Sequence, residues 1–191
     1  YRAVESYITS AVSYKRASNY EKYIEQLKLA EKLAIDENMD LNLALIYLNM
    51  AAYYSIKENV EYAINYYQKV LELTSDDWVT LKTLYSLVLQ YSIIYNYNEV
   101  IKLCIKGLAL YRTNSNELTR VFYFHFQIHL SIHSNHQNFE KIIKEALQYF
   151  CETNDFRHAH KYSILIANYY LDSRKYKKAT HYFALANEYL A

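Results

Sequence analysis

The sequence predicts an all-α solenoid built from five helix pairs. Three observations carry that expectation: the lack of Pro and Gly, an apolar pattern that returns on a fixed frame, and asparagines that recur at one place in that frame. The 191 residues contain no Pro and a single Gly, Gly107, against about 5% and 7% in ordinary globular chains. Such a chain makes few tight turns and is expected to hold few special backbone conformations. That argues against a β-rich fold and against a Gly-rich phosphate loop. Apolar residues are 52% of the chain and Tyr alone contributes 24. Tyr packs its ring while its hydroxyl stays wet or bonded, which suits a thin two-layer architecture.

The repeating unit is clearest at Tyr47-x2-Met50-Ala51-x2-Tyr54, followed by Ala63-x3-Tyr67. Residues at these spacings share one helix face. The small residue lets two helices approach closely, and the aromatics fill the space beside it. Four more copies lie on the same frame. They are Tyr7/Ser10/Ala11/Tyr14 with Tyr23/Leu27, Leu84/Leu87/Val88/Tyr91 with Val100/Cys104, Phe126/His129/Leu130/His133 with Ile142/Ala146, and Ser163/Ile166/Ala167/Tyr170 with Ala179/Phe183. In every copy nine residues separate the end of the first motif from the start of the second: 14 to 23, 54 to 63, 91 to 100, 133 to 142 and 170 to 179. A constant spacing implies a constant turn inside each pair, with length variation confined to the connections between pairs.

The pattern of aromatic, large apolar, small and aromatic residues matches the tetratricopeptide unit. The repeat of 37 to 42 residues exceeds the usual length of about 34, so longer helices are expected. Stacked pairs of this kind form a right-handed superhelix whose concave groove is lined by the first helices. The frame places repeats at 2–37, 40–73, 77–112, 116–153 and 155–190 of one domain. It places helices near 2–17, 20–37, 40–57, 60–73, 77–95, 97–112, 116–134, 138–153, 155–172 and 176–190. Asn19, Asn59, Asn96 and Asn138 each stand four residues before a second-helix anchor, in the contexts NYEKY, NVEYA, NYNEV and NFEKI. An Asn there caps the helix start by accepting from free backbone N–H groups, and the Glu favours the positive end of the helix. The fifth copy has Lys175 instead and is expected to lack the cap.

The formal net charge of +1 supplies no field to hold nucleic acid. Residues 1–80 carry a net of −4 and residues 81–191 a net of +5. The basic cluster Arg174, Lys175, Lys177 and Lys178 reads as a solvated helix start. Cys104 and Cys151 form no CxxC pair, which points to a reduced, cytoplasmic protein. No stretch is apolar enough to span a membrane, and no membrane partner is expected. The chain begins at Tyr1 inside a helical pattern, and is read as part of a longer protein.

Chemistry has one candidate. His125, His129 and His133 recur every fourth residue, with His136 just beyond, and such His pairs can share a metal. His129 and His133 fall on core positions of the frame, however, so a packing role is the preferred reading. No metal, no cofactor and no catalytic residue is assigned, and the chain is read as a non-enzyme. The better site is the groove. Residues beside the core motif should line it: Leu45, Leu48, Asn49, Ala52 and Ile56 in the second repeat, and Lys82, Tyr85, Ser86 and Leu89 in the third. Phe124, Gln127, Ile128 and Ser131 follow in the fourth, Lys161, Leu165 and Asn168 in the fifth, and Thr9, Val12 and Arg16 in the first. Asn49 interrupts an apolar run, where its amide offers both a donor and an acceptor to an extended peptide backbone. The plainer reading is that it bonds a neighbouring helix. Asn168 and Gln127 offer similar groups, and Lys82 and Lys161 suit a ligand carboxylate.

The five long repeats, Tyr-rich first helices and Asn-bearing groove resemble the tetratricopeptide domains of Gram-positive peptide-pheromone receptors, the Rap/NprR/PlcR/PrgX (RRNPP) type that includes arbitrium receptors. The resemblance implies a regulatory domain of a quorum-sensing transcriptional regulator. It would bind a short linear signalling peptide in the groove, through Asn49 and Asn168 above all, and couple binding to oligomerisation or an effector domain. It implies DNA contact only through a domain outside this chain. The alternative is a generic protein–protein scaffold. The last helix is apolar enough to need cover, from further chain, a partner or a homodimer through the C-terminal helices.

Overall fold

A computed structural model describes residues 2–134 and 139–189. Among them are ten α-helices, which make five pairs: α1 (Arg2–Arg16), α2 (Tyr20–Asp36), α3 (Asp40–Ile56), α4 (Val60–Leu73), α5 (Asp77–Ile93), α6 (Tyr97–Thr113), α7 (Arg120–His133), α8 (Phe139–Glu152), α9 (Phe156–Asp172) and α10 (Tyr176–Glu188). The fold is the tetratricopeptide-like one that the frame predicts. Two compact units divide the chain, residues 1–126 and 127–191. In unit 1, α1 packs on α2, α3 on α4 and α5 on α6, while α2 also meets α3 and α4 meets α5. In unit 2, α9 packs on both α8 and α10.

Sequence pattern follows this packing. Helix α3 lies between α2 and α4 and buries residues on several faces: Leu43, Ala44, Ile46, Leu48, Met50 and Ala51. Helix α4 buries only Ala63, Tyr67 and Val70, and its opposite face is polar. The small motif residues lie at the helix contacts, with Ala11, Ala51, Val88 and Ala167 inaccessible. The tyrosines also serve as platforms for lysine. Lys69 lies 5.2 Å from the Tyr47 ring and 4.9 Å from that of Tyr66, and Lys22 lies 5.4 Å from Tyr14. In unit 2, Lys175 and Lys178, from the basic cluster, lie over the Tyr170 ring, and Lys178 also pairs with Glu140.

The constant spacing of nine has a definite origin. The first helices α1, α3, α5 and α9 end in the same closing motif, in which one residue takes a left-handed conformation: Ser18, Glu58, Tyr95 and Arg174, at φ 56–57°. The next N–H then reaches back five residues to the carbonyl of the last motif tyrosine. These bonds are Asn19 to Tyr14 (2.9 Å), Asn59 to Tyr54 (2.9 Å), Asn96 to Tyr91 (2.9 Å) and Lys175 to Tyr170 (2.8 Å). That same residue is the N-cap of the second helix, and its carbonyl accepts from the anchor four residues on: Tyr23, Ala63, Val100 and Ala179. One residue thus closes one helix and opens the next. Asn38 and Asn154 make the same turn between pairs, at φ 55° and 56°. This corrects the expectation of few special backbone conformations. Among the described residues six other than Gly occupy the left-handed region, and Gly107, inside α6, does not.

The caps at Asn19, Asn59 and Asn96 are formed, accepting from the N–H groups of Lys22, Tyr62 and Glu99. Lys175 caps nothing with its side chain. Asn138 and His136 lie outside the described residues. Asp76 and Asp155 add caps on Val79 and His158. Helix α7 starts at Arg120 rather than 116, because Asn116 and Thr119 close a local turn. Thr119 N–H donates to Asn116 Oδ1 (3.0 Å), and Asn116 N–H donates to Thr119 Oγ1 (3.2 Å). A left-handed residue other than Gly carries a steric cost of roughly 1 kcal/mol, partly offset because Gly loosens the unfolded chain. Replacing exposed Glu58 with Gly is therefore expected to stabilise the protein by about 0.5 kcal/mol, read as a higher urea midpoint.

Candidate functional site

The first helices of unit 1 present the face on which the sequence places a ligand. Its centre is Asn49 on α3. The Tyr23 hydroxyl, reaching across from α2, donates to the Asn49 main-chain oxygen (2.8 Å) and shares its proton with the amide Oδ1 (3.2 Å). Asn49 Nδ2 donates to the Leu45 carbonyl one turn earlier (2.8 Å). Burial holds the Tyr23 phenol far above its ordinary pKa, so it remains a donor at any physiological pH. The amide therefore does what the plainer reading expected and bonds a neighbouring helix. An amide has two N–H groups and two lone-pair sites, so these bonds use half its capacity. Its orientation is fixed before any ligand arrives.

Around Asn49 the face is apolar. Leu45 and Ile56 are exposed, Ala52 is half-buried, and Leu48 is covered. On α5, Lys82 places its ammonium 4.8 Å from the ring of Trp78, the chain's only tryptophan. Trp78 is itself 42% exposed. Tyr85 is covered and stacks on His125, with ring centroids 4.0 Å apart and planes 10° from parallel. It packs the wall behind the face rather than forming its surface. An open apolar strip with a few oriented polar groups is the usual make-up of a site for a small or extended ligand.

Two members of this face were not singled out from the sequence. Lys15, on α1, lies 5.7 Å from the Tyr23 ring, next in sequence to the Arg16 assigned to the groove. Trp78 falls in the first turn of α5, ahead of the core motif. An isolated Trp beside a helix start was the available signal.

Unit 2 carries the remaining candidates. Gln127 is half-buried, and Asn168 and Lys161 are exposed. Desolvation, and to a smaller extent the charge of Arg157, hold the Lys161 pKa below the ordinary lysine value. His129 is a core residue: it is buried and sits edge-on to Tyr162 at 6.2 Å. Burial, with smaller effects from Lys161 and His133, pushes its pKa down to about 3, so the imidazole is neutral. Among the described residues no group of three or more His, Cys, Asp or Glu is placed to hold a metal ion. None of the helices so described is long and apolar enough to cross a membrane.

No family model matches the sequence. A transcriptional activator, NprA of Geobacillus stearothermophilus, is 26% identical over 99% of this chain and 48% of its own length. The apo form of RapI has a TM-score of 0.78 at 18% identity, over 97% of this chain and 51% of that protein. The apo form of the quorum sensor NprR from B. thuringiensis has a TM-score of 0.76 at 20% identity, covering 98% and 54%. The chain is similar in fold to about half of RapI and of NprR. The resemblance to the Rap/NprR type read from the repeats therefore holds, at the level of fold and of distant sequence similarity. The chain spans about half the length of each of these proteins.

Proposed function

We propose that this chain is the ligand-sensing part of a regulator and that the first-helix face of unit 1 binds a short linear peptide. The observation that carries the reading is Asn49, an amide held at the centre of an exposed apolar strip by Tyr23 and by its own helix. The likeness to a transcriptional activator and a quorum sensor supports a regulatory, non-catalytic role. Output would pass to segments beyond these residues, by altered oligomerisation or through an effector domain. Gln127, Lys161 and Asn168 remain candidate ligand contacts on unit 2. The second reading, docking of a folded partner or a second copy on unit 2, is favoured by the exposed Phe156, Leu171 and Tyr176.

The test uses a pool of randomised heptapeptides, with affinity selection on the purified chain and titration followed by Trp78 fluorescence. Asn49→Ala leaves the Tyr23 hydroxyl its main-chain acceptor, so the fold is retained at a cost of about 1 kcal/mol or less. Affinity for the retained peptides is expected to fall by about tenfold or more. Unchanged affinity in that variant would remove Asn49 from the site.

A further inference from the structure

Two loops of unit 1 enclose a cleft of about 380 Å³ beside Trp78. One wall is the segment 75–78, which leads into α5, and the other is formed by Asn116, Leu118 and Thr119 ahead of α7. Each wall is closed by hydrogen bonds of its own. In the first, Asp76 Oδ1 accepts from the Val79 N–H (2.7 Å), and the Asp76 N–H donates to Thr74 Oγ1 (3.2 Å). In the second, Asn116 and Thr119 satisfy each other. The cleft is therefore shaped before any ligand arrives, which lowers the ordering cost of filling it.

The polar side chains Asp76, Asn116 and Thr119 are thus committed within their own loops, while the apolar ones are open. Leu118 is 79% exposed, and Trp78 is 42% exposed although Phe122 meets its indole edge-on at 6.2 Å. The repeat calls for neither residue. Leu41, Arg120 and Arg157 stand at the position of Trp78 in other repeats, and Leu118 lies in a loop outside the motif. An exposed Trp and an exposed Leu that line one cleft gain most from an apolar occupant. Size limits what that occupant is. The volume is near the lower end for small-ligand sites, about 300–1,000 Å³. It is less than one turn of helix, about 10 Å across and 5.4 Å long, would fill. A side chain fits, and a helix of a folded partner does not. The carboxylates of Asp76 and Asp77 disfavour an acidic side chain there. Trp78 also belongs to the first-helix face, where Lys82 lies 4.8 Å from its ring, so the cleft and the candidate peptide site share a residue.

We propose that this cleft seats one large apolar side chain of a peptide bound along the first helices of unit 1, and so selects peptides that carry such a residue. This rests on the peptide-binding reading above. Asn49 holds the main chain, and Trp78 and Leu118 grip the side chain. Filling the cleft removes Trp78 from water, which gives an optical signal at the site itself.

The experiment compares two heptapeptide pools by affinity selection on the purified chain. One contains Leu, Ile, Met and Phe among its residues, and the other is confined to Gly, Ala, Ser, Asn, Gln and Lys. Retention from the first pool about tenfold above the second is expected. The emission of Trp78, the chain's only tryptophan, should shift to shorter wavelength as the retained peptides are added. Leu118→Ser removes an apolar wall at an exposed position and is expected to leave the thermal midpoint unchanged. It should weaken the retained peptides by about fivefold, and Leu118→Met should keep their affinity. Equal retention from the two pools, or unchanged affinity in Leu118→Ser, overturns the cleft assignment. If that binding is abolished by Asn49→Ala, the groove reading stands without the cleft. Binding that Leu118→Ser weakens and Asn49→Ala leaves unchanged supports the cleft and removes Asn49 from the site. Retention from neither pool overturns both.

Discussion

Replacing Gly107 with Ala is expected to destabilise the protein by about 1–3 kcal/mol, although Ala favours a helix over Gly by about 1 kcal/mol. Gly107 is buried in the middle of α6, and the ring of Phe126 from α7 lies where its Cβ would be placed, with three ring carbons inside contact distance. Phe126 is itself inaccessible and stands edge-on to Tyr85 at 6.4 Å. The ring has no solvent-filled space to move into, and an added methyl must displace packed side chains. The corresponding positions of the first two repeats hold Ala30 and Val70, so Gly here reflects this one neighbour and not the repeat. Leu occupies the position of Phe126 in the third repeat, at Leu84. Phe126→Leu should therefore recover part of the loss in a double-mutant cycle, with a coupling above about 0.5 kcal/mol. A higher urea midpoint for Gly107→Ala alone would contradict the close approach.

The second large effect is sensitivity to acid. The His129 imidazole has a folded pKa near 3 against an ordinary value of 6.5, because burial disfavours its charged form. A depressed pKa on a base means that the unfolded chain binds the proton first. Above pH 6.5 the group makes no difference to stability. As pH falls below 6.5 stability declines, by roughly tenfold in the folding equilibrium per pH unit, until the folded pKa is approached. His133, also held low by burial, acts in the same direction. The diagnostic window is pH 6.5 to 5, above the range where Glu140, held low by its bond to Lys178, contributes. Met50, Leu87 and Ile166 are the buried residues at the matching positions of other repeats. His129→Leu is therefore expected to remain folded at pH 7. Its thermal midpoint should fall with acid much less steeply than that of the parent. Parallel curves for the two proteins would show that His129 is not the group responsible.

The repeat frame was legible because its signals are local. Small residues at helix contacts and Asn at helix starts act within one turn of where they stand, and Ala11, Ala51, Asn19, Asn59 and Asn96 do what their spacing implied. The left-handed turns were not legible. Ser18, Glu58, Tyr95 and Arg174 adopt them because the two flanking helices impose the conformation, and none of these residue types announces it. The early start assigned to α7 failed for a related reason. Asn116 and Thr119 look like helix-opening residues and instead satisfy each other.

The candidate site was legible only in part. Spacing marked Asn49 as a polar interruption of an apolar run, but it could not reveal Tyr23, 26 residues away, as the side chain that fixes it. It marked Lys82 without Lys15, because a long flexible side chain reaches a ring on the next helix rather than following its own helix face. It also treated Tyr85 as surface, where the structure stacks it on His125. Each gap concerns a pairing between helices, which periodicity along one helix does not encode.

The central claim, that a peptide lies along the first helices of unit 1, is tested most directly by photo-crosslinking. Heptapeptides retained from the randomised pool would carry a photoreactive residue, and mass spectrometry of the digested chain would locate the adducts. Adducts on α1, α3 and α5, at residues such as Val12, Leu45, Ala52 and Trp78, that are lost in Asn49→Ala are the result this account predicts. Adducts confined to the exposed faces of α2, α4 and α6, at residues such as Lys28 and Gln68, or persisting unchanged in Asn49→Ala, would contradict it.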